Sequence, residues 1–313
     1  MNGTASTRNA SCTDSAGFAF GCLLAGNICL AFGPWLVRLA GTDGGVGPVA
    51  AGFWRLALAA PVLLLLARGR GEGPKGAGAV MLALGGIFFA ADLAAWHLGI
   101  EQTKLANATL FGNAASFLFP IYGFLAARML PSRSQAAALA LAAAGAVLLL
   151  GQSYELSPQN LVGDLLSLLA GIFYTVYLVA IDTARRRLDP WRVLAFTTVA
   201  GLAPMLLFAH LLGEAIWPRA WWSLAGLAVV SQLLGQGFLV YAMGHVRPVV
   251  VGVAFLLQPI MSAVIGWVVY AEAMGAADLV GASAIAAAIV LVRRGSAEGG
   301  SLEVALKDAK DEA

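Results

Sequence analysis

Long apolar stretches, separated by short polar connections, repeat along almost the whole chain. There are ten, and most have the roughly 20 helical residues needed to cross a hydrocarbon layer about 30 Å thick. A backbone inside lipid must satisfy its own hydrogen bonds, so each stretch predicts a helix. The predicted spans are residues 17–38, 47–67, 77–98, 104–128, 134–151, 160–183, 190–212, 220–243, 249–271 and 276–294. The pattern predicts an all-α integral membrane protein with ten transmembrane helices.

The composition agrees with this prediction. Hydrophobic residues make up 60% of the chain and charged residues 12%, with a mean hydropathy of +0.82. A typical soluble domain is about half apolar and about one quarter charged. Polar side chains are costly inside a bilayer and are usually functional there, so they are the candidates for a site.

Basic residues predict the orientation. With a cytoplasmic N-terminus, 15 of the 19 Lys and Arg residues lie on the cytoplasmic side, and Arg38, Arg55, Lys104 and Arg219 remain. Such an excess is typical of cytoplasmic loops. We therefore expect a multi-pass protein of the inner (cytoplasmic) cell membrane. Residues 1–16 and 295–313 are predicted to be cytoplasmic tails.

Ten spans divide into two sets of five, residues 17–151 and 160–294. Five is odd, so the second set enters the membrane upside down relative to the first. Inverted repeats of this kind are common in secondary transporters, whose solute site lies between the repeats near the bilayer midplane.

Two charged residues lie deep within predicted spans. Arg55 is about 12 Å below the outer edge of the second span, and Asp92 is about 9 Å below that of the third. We expect them to pair or to share a polar cavity. This leaves two alternatives, a solute or proton site and a fixed ion pair that joins two helices. Trp96, one turn from Asp92, is either an aromatic platform for a solute or an interfacial belt residue.

Amide and phenol groups supply further candidates. Asn113 is buried more deeply than Asn107 and is preferred, while Gln232 and Gln236 are four residues apart on one helix face. The complete set proposed for solute binding is Asn27, Arg55, Asp92, Trp96, Asn113, Tyr174, Tyr177, Gln232, Gln236 and Gln258. Of six members of this set, Asn27, Tyr174, Tyr177, Gln232, Gln236 and Gln258, about half should face a cavity, and the others should link helices. Pro120 and Pro259, late in corresponding helices, are predicted hinges.

Other polar residues are expected to have no role in the site. His97 is expected to be an interfacial hydrogen-bonding residue. Asp164, Asp182, Asp278 and His210 are expected to be solvated near the interfaces, and Glu272 is interpreted as a helix-end landmark. Cys12, Cys22 and Cys29 are expected to be free thiols.

Short landmarks in the second half resemble those of a known family. They are Gly163-Asp164-Leu165-Leu166, Tyr241-Ala242-Met243, Gln258-Pro259 and Tyr270-Ala271-Glu272. Pro48 and Arg55 also fit in the first half, whereas Ser116 and Met129 stand where the family often has Pro and Glu. Over roughly residues 17–294 the chain resembles EamA-type members of the drug/metabolite transporter superfamily. The resemblance implies export of amino acids or related small metabolites by alternating access.

The main alternative is an integral membrane enzyme acting on a lipid or amphiphilic substrate. The three His residues are scattered, and no H-E-x-x-H, G-x-S-x-G or Cys/His metal spacing is present. We therefore expect no catalytic residues, metal or cofactor. The expected partners are a small solute and membrane lipids but no nucleic acid, in a monomer or homodimer. Arg55 alone is too little positive charge for a phosphorylated solute, so a neutral or zwitterionic one is favoured.

Overall fold

The computed structural model describes residues 3–103, 105–151, 157–271 and 275–311, and its regular structure over these ranges is entirely helical. The helices are α1 (Gly3–Ala31), α2 (Gly33–Thr42), α3 (Pro48–Ala67), α4 (Ala77–Gln102), α5 (Leu105–Gly112), α6 (Ala115–Ala127), α7 (Arg133–Gly151), α8 (Leu161–Arg185), α9 (Pro190–Leu211), α10 (Trp222–Gly226), a π-helical segment (Leu227–Gln236), α11 (Gly237–Met243), α12 (Pro248–Phe255), α13 (Leu257–Tyr270) and α14 (Ala276–Asp311).

These helices form ten apolar spans in the order predicted from the sequence. Within the described ranges, nine helical runs are long and apolar enough to cross a membrane, and Arg133–Leu149 forms a shorter tenth. The prediction of an all-α membrane protein is confirmed. α1 begins at Gly3 and α14 continues to Asp311, so both terminal helices extend past the predicted spans. The structure does not describe Lys104 and Glu272, nor the side chains of Cys12 and Asn107. The other two cysteines, Cys22 and Cys29, are free thiols, as expected.

Four spans are irregular near their middles. The first is interrupted at Phe32 between α1 and α2, the fourth at residues 113–114 between α5 and α6, and the ninth at Leu256 between α12 and α13. The eighth contains a ten-residue π-helical segment, which is rare and usually found at functional sites. Pro259 follows its interruption closely, whereas Pro120 lies inside α6, so the break in the fourth span lies N-terminal to the predicted hinge.

Helix landmarks recur in the two halves at a spacing of 143 residues. α5 begins at Leu105 and α12 at Pro248, a difference of 248 − 105 = 143. The same spacing separates three further pairs of landmarks. They are the last residues of α2 and α8 (Thr42 and Arg185), the prolines inside α3 and α9 (Pro61 and Pro204), and the last residues of α6 and α13 (Ala127 and Tyr270). It also separates Arg128 and Ala271, the only described non-glycine residues with left-handed backbones, at φ of 52° and 54°. The fold therefore repeats along the chain.

Counterpart spans pack against each other. The second span contacts the seventh, the fourth contacts the ninth, and the fifth contacts the tenth. Small residues make these approaches possible: a Cβ on Gly145 would lie 2.8 Å from the carbonyl oxygen of Gly281, and one on Gly281 would lie 2.7 Å from that of Gly145. Close backbone approach of this kind drives helix association in lipid, where apolar burial provides little force.

A short connection also holds the seventh and second spans together. The carboxylate of Glu214 accepts hydrogen bonds from the backbone N–H groups of Val49 (3.2 Å) and Ala50 (2.7 Å), at the start of α3. Partial burial raises the pKa of Glu214, while these two hydrogen bonds act in the opposite direction. The indole of Trp54 donates to the carbonyl of Ile216 at 2.6 Å in the same connection.

The contact between the fourth and ninth spans leads to a packing prediction. A Cβ on Gly252 would overlap the ring of Pro120 and lie 2.6 Å from the carbonyl oxygen of Ser116. Gly252→Ala should therefore lower the apparent Tm of the purified protein, at a cost of about 1–3 kcal/mol as in other overpacked sites.

Gly21→Ala is the matched control, because a Cβ there would meet nothing within 4 Å. It should leave Tm unchanged or raise it slightly, since alanine favours helix. Equal Tm values for both variants in a thermal unfolding assay would show that the Gly252 contact does not stabilise the fold.

Candidate functional site

A cavity of about 90 Å³ lies between the spans near their middles. All four irregular spans reach it: Gly33 follows the break in the first, Asn113 lies at the break in the fourth, Gln236 ends the π-helical segment, and Phe255 precedes the break in the ninth. Irregular backbone at membrane depth is tolerated where it lines a cavity or is buried in protein.

The cavity gathers most of the polar residues selected from the sequence. Seven of the ten candidates line it: Arg55, Asp92, Trp96, Asn113, Tyr174, Gln236 and Gln258. The other three, Asn27, Tyr177 and Gln232, each hydrogen bond to a lining residue. Of the six amide and phenol residues for which about half were expected to face a cavity, three line it, namely Tyr174, Gln236 and Gln258. The other three support residues that line it.

Arg55 is held by residues from both halves of the chain. Its side chain is buried, and its Nε donates to Oε1 of Gln232 at 3.0 Å. The amide nitrogen of Gln232 donates in turn to the hydroxyl of Thr198 at 2.9 Å. The guanidinium carbon lies 5.7 Å from the ring centroid of Phe89, within cation–π range. Two neighbours, Gln232 and Phe89, thus contact the charged group, and Thr198 holds Gln232 in place.

Asp92 shares the cavity with Arg55 but is not in contact with it. The ion pairs between described residues, defined by nitrogen–oxygen distances up to 4.0 Å, do not include this pair. No hydrogen bond within the described part of the chain reaches the Asp92 carboxylate either. Of the two predicted arrangements, the shared cavity is therefore observed rather than the direct pair, and two opposite charges face one small space.

Amide and phenol groups form two further bridges. Nε2 of Gln258 donates to Oδ1 of Asn27 at 2.9 Å, joining the ninth and first spans. Gln236 donates to the hydroxyl of Tyr174 at 3.3 Å and accepts from that of Tyr177 at 3.4 Å. Phe89 stacks on Tyr177 with ring centroids 4.4 Å apart, which makes one wall of the cavity aromatic.

Two half-helices begin at this cavity. α6 starts at Ala115 and α13 at Leu257, and neither receives a side-chain cap at its N-terminus. Ala115, Ser116 and Gln258, in their first turns, line the cavity. Helix N-termini carry partial positive charge and favour anionic groups. Together with Arg55, they make one part of the cavity positive, while Asp92 supplies the negative charge.

Trp96 and Asn113 are placed by the interruption of the fourth span. The indole nitrogen of Trp96 would lie 2.9 Å from a Cβ on Gly112, so the ring packs directly on the backbone there. The amide nitrogen of Asn113 donates to the carbonyl of Thr109 at 2.8 Å, one turn earlier in the same span. Trp96 is thus a wall of the cavity rather than a residue of the outer belt.

Sequence reasoning missed several residues of the site. Thr198 and Phe89 were not selected, although both contact the groups that fix Arg55. Ser116 lines the cavity with a buried hydroxyl that has no partner in the described structure. A Thr or Ser inside a span gives only a weak signal, because such hydroxyls commonly bond to their own helix backbone.

Three expectations about other polar residues were wrong. His97 is 1% exposed rather than interfacial, and its Nδ1 lies 2.7 Å from the carbonyl oxygen of Pro48. Asp164 and Asp182 are buried rather than solvated. Asp164 accepts a hydrogen bond from the hydroxyl of Thr103 at 2.6 Å, and Asp182 accepts one from the hydroxyl of Tyr122 at 3.3 Å. In each case tertiary packing supplies partners that the sequence position does not reveal.

Within the described ranges, no cluster of three or more His, Cys, Asp or Glu side chains is arranged to hold a metal ion. The polar groups that line the cavity are instead three amides, one phenol, one hydroxyl, one indole, one guanidinium and one carboxylate. This set can bind an organic solute through directed hydrogen bonds and charge.

Comparisons with known proteins agree with this architecture. The chain is 23% identical over 211 residues to an uncharacterized transporter from Archaeoglobus fulgidus, an alignment that covers 66% of this chain and 74% of that protein. A crystal structure of another protein superposes with a TM-score of 0.68 at 20% identity, over 89% of this chain and 97% of the other, which shows a common fold.

The family comparison is specific to the second half. The EamA-like transporter family matches residues 161–294, the part in which the sequence landmarks are most complete. Those residues form five of the ten spans, and they supply Tyr174, Gln236 and Gln258 to the cavity. The chain is therefore a multi-pass membrane protein whose residues 161–294 match the EamA-like transporter family.

Proposed function

We propose that this protein is a secondary transporter that exports a small organic solute, such as an amino acid or a related metabolite, by alternating access. The observation that carries the proposal is the cavity with one cationic and one anionic side chain, at the level where four irregular spans meet. Discontinuous helices with a midplane site are a recurrent construction of secondary transporters.

The charge arrangement favours a zwitterionic solute. Arg55 and the N-termini of α6 and α13 suit a carboxylate, whereas Asp92 suits an ammonium group. The aromatic wall formed by Phe89 and Tyr174 suits an apolar side chain. A solute carrying both charges would supply the partner that Asp92 lacks among the described residues.

The repeat of 143 residues supports the proposed mechanism. We propose that residues 17–151 and 160–294 are inverted repeats related by an axis between counterpart spans. Exchange of conformation between two such halves would open the cavity to each side in turn.

The volume of the cavity requires movement during transport. About 90 Å³ is well below the 300–1,000 Å³ typical of pockets for organic ligands. We propose that the fourth span flexes at residues 113–114, N-terminal to Pro120, and that the ninth flexes at Leu256, close to Pro259. The regular α-helix is already interrupted at both places.

The first prediction concerns binding of solute. An amino acid that binds should raise the apparent Tm of the purified protein, by mass action on the folded state. Asp92→Asn should abolish that increase, because the carboxylate is the only anionic side chain that lines the described cavity. A panel of amino acids and amines in a thermal unfolding assay tests this.

Asp278→Asn, at the start of α14, is the control and should respond like the wild type. A ligand response that survives in Asp92→Asn would remove Asp92 from the site. Solute flux into proteoliposomes without added nucleotide tests transport itself, and its absence for a solute that binds would contradict the transporter proposal.

The second prediction concerns the link between the two halves. Gln232→Leu preserves approximate volume but removes the acceptor of the Arg55 hydrogen bond. An unsatisfied buried donor costs about 1–3 kcal/mol, so the variant should be less stable. Solute affinity should also fall, because the guanidinium of Arg55 is no longer held in position before the solute binds. Isothermal titration with the ligand found above measures the loss.

Thr198→Val removes only the outer member of the same chain of hydrogen bonds. Its effect should be smaller, because Gln232 still accepts from Arg55. If Gln232→Leu folds and binds as tightly as the wild type, the bridge does not position Arg55 for solute.

The third prediction concerns orientation. We propose that both termini are cytoplasmic in the inner cell membrane. In a variant without the three native cysteines, Asp43→Cys should react with a membrane-impermeant maleimide in intact cells. Glu72→Cys, in the connection that follows α3, should react only after lysis. The opposite labelling pattern would reverse the proposed orientation.

A further inference from the structure

A second, larger cavity lies away from the polar site, in a groove formed by the first, ninth and tenth spans. Its volume is about 530 Å³, within the range of organic ligand pockets. Leu24, Leu257 and Ile289 contribute apolar surface along its length. It shares no lining residue with the cavity that contains Arg55 and Asp92.

Two arginines form one end of this groove. Arg293 and Arg294 both line it and are exposed, and no acidic residue lines it with them. Among the described residues neither guanidinium has a carboxylate partner. Arg293 instead lies over the ring of Phe20, with its guanidinium carbon 4.5 Å from the ring centroid. This contact holds one cationic group beside the apolar groove.

The groove extends away from the arginines along the tenth span. Ala286 lines it seven residues before Arg293, a distance of about 10 Å at 1.5 Å per helical residue. The surface therefore combines two adjacent positive charges near the end of the tenth apolar span with an apolar channel that runs towards the membrane interior. A free phosphate would use the first feature but not the second.

We propose that this groove binds an anionic phospholipid, with the headgroup phosphate on Arg293 and Arg294 and an acyl chain along Leu24, Leu257 and Ile289. Guanidinium groups match phosphate oxygens in geometry and charge. Basic pockets between transmembrane helices are known to bind anionic headgroups. The proposal does not depend on the solute transported, because the two cavities are separate.

The experiment compares lipids of different charge. Purified protein is titrated with phosphatidylglycerol or phosphatidylcholine of the same acyl chains in mixed micelles, and the apparent Tm is recorded. Phosphatidylglycerol should give the larger stabilisation. Arg293→Gln/Arg294→Gln should weaken the apparent affinity for phosphatidylglycerol by about 10- to 30-fold, as expected for two basic residues beside an anionic lipid surface.

Two controls separate a specific groove from general charge attraction. Arg68→Gln/Arg187→Gln removes two other exposed arginines, outside the groove, and should leave the lipid preference intact. Ala286→Trp keeps both groove arginines but fills the apolar channel, and it should also abolish the preference for phosphatidylglycerol. Inorganic phosphate at millimolar concentration should give no stabilisation.

The proposal is overturned if the two double variants lose the preference equally, because nonspecific charge would then explain the binding. It is also overturned if Ala286→Trp retains full affinity, if phosphate reproduces the effect, or if the wild type does not distinguish the two lipids. Both double variants remove two positive charges, so a difference between them reports the position of the arginines and not the net charge.

Discussion

The burial of one guanidinium group imposes the main constraint on this structure. A charged side chain at membrane depth costs several kcal/mol unless nearby groups replace its lost hydration. Arg55 receives that replacement from Gln232 through a hydrogen bond and from Phe89 through its ring. Gln232 lies in the eighth span, so the most expensive group in the first half is stabilised by the second half. The arrangement of the whole bundle must preserve that contact.

The two halves are alike in fold and different in chemistry. At the 143-residue spacing, Arg55 corresponds to Thr198, and Phe89 corresponds to Gln232. These four residues are also the ones that meet around the guanidinium. Asp92 corresponds to Gly235, so both charged side chains of the cavity come from the first half. Equivalent positions thus contribute a charge on one side and a neutral partner on the other.

Much of this fold could be predicted from hydropathy, because a membrane leaves few choices of structure. The second span was predicted at residues 47–67 and is observed at Pro48–Ala67. The candidate residues could be selected for the same reason, since few polar groups occur deep in the spans. The partner of Arg55, the burial of Asp164 and the π-helical segment could not be predicted. They depend on which helices pack together, and a single sequence without a fold does not contain that information in readable form.

The Arg55 contact also bears on how the two halves can have diverged. Suppose that two copies of the first half packed together as the two halves do here. Their second spans would then face each other, and two Arg55 side chains would meet with Phe89 in place of Gln232. Two copies of the second half would instead place Thr198 opposite Thr198 and leave the cavity without charge. A pair of identical halves packed in this way would therefore not reproduce a single buried arginine with a neutral partner, which requires two different sequences in one fold.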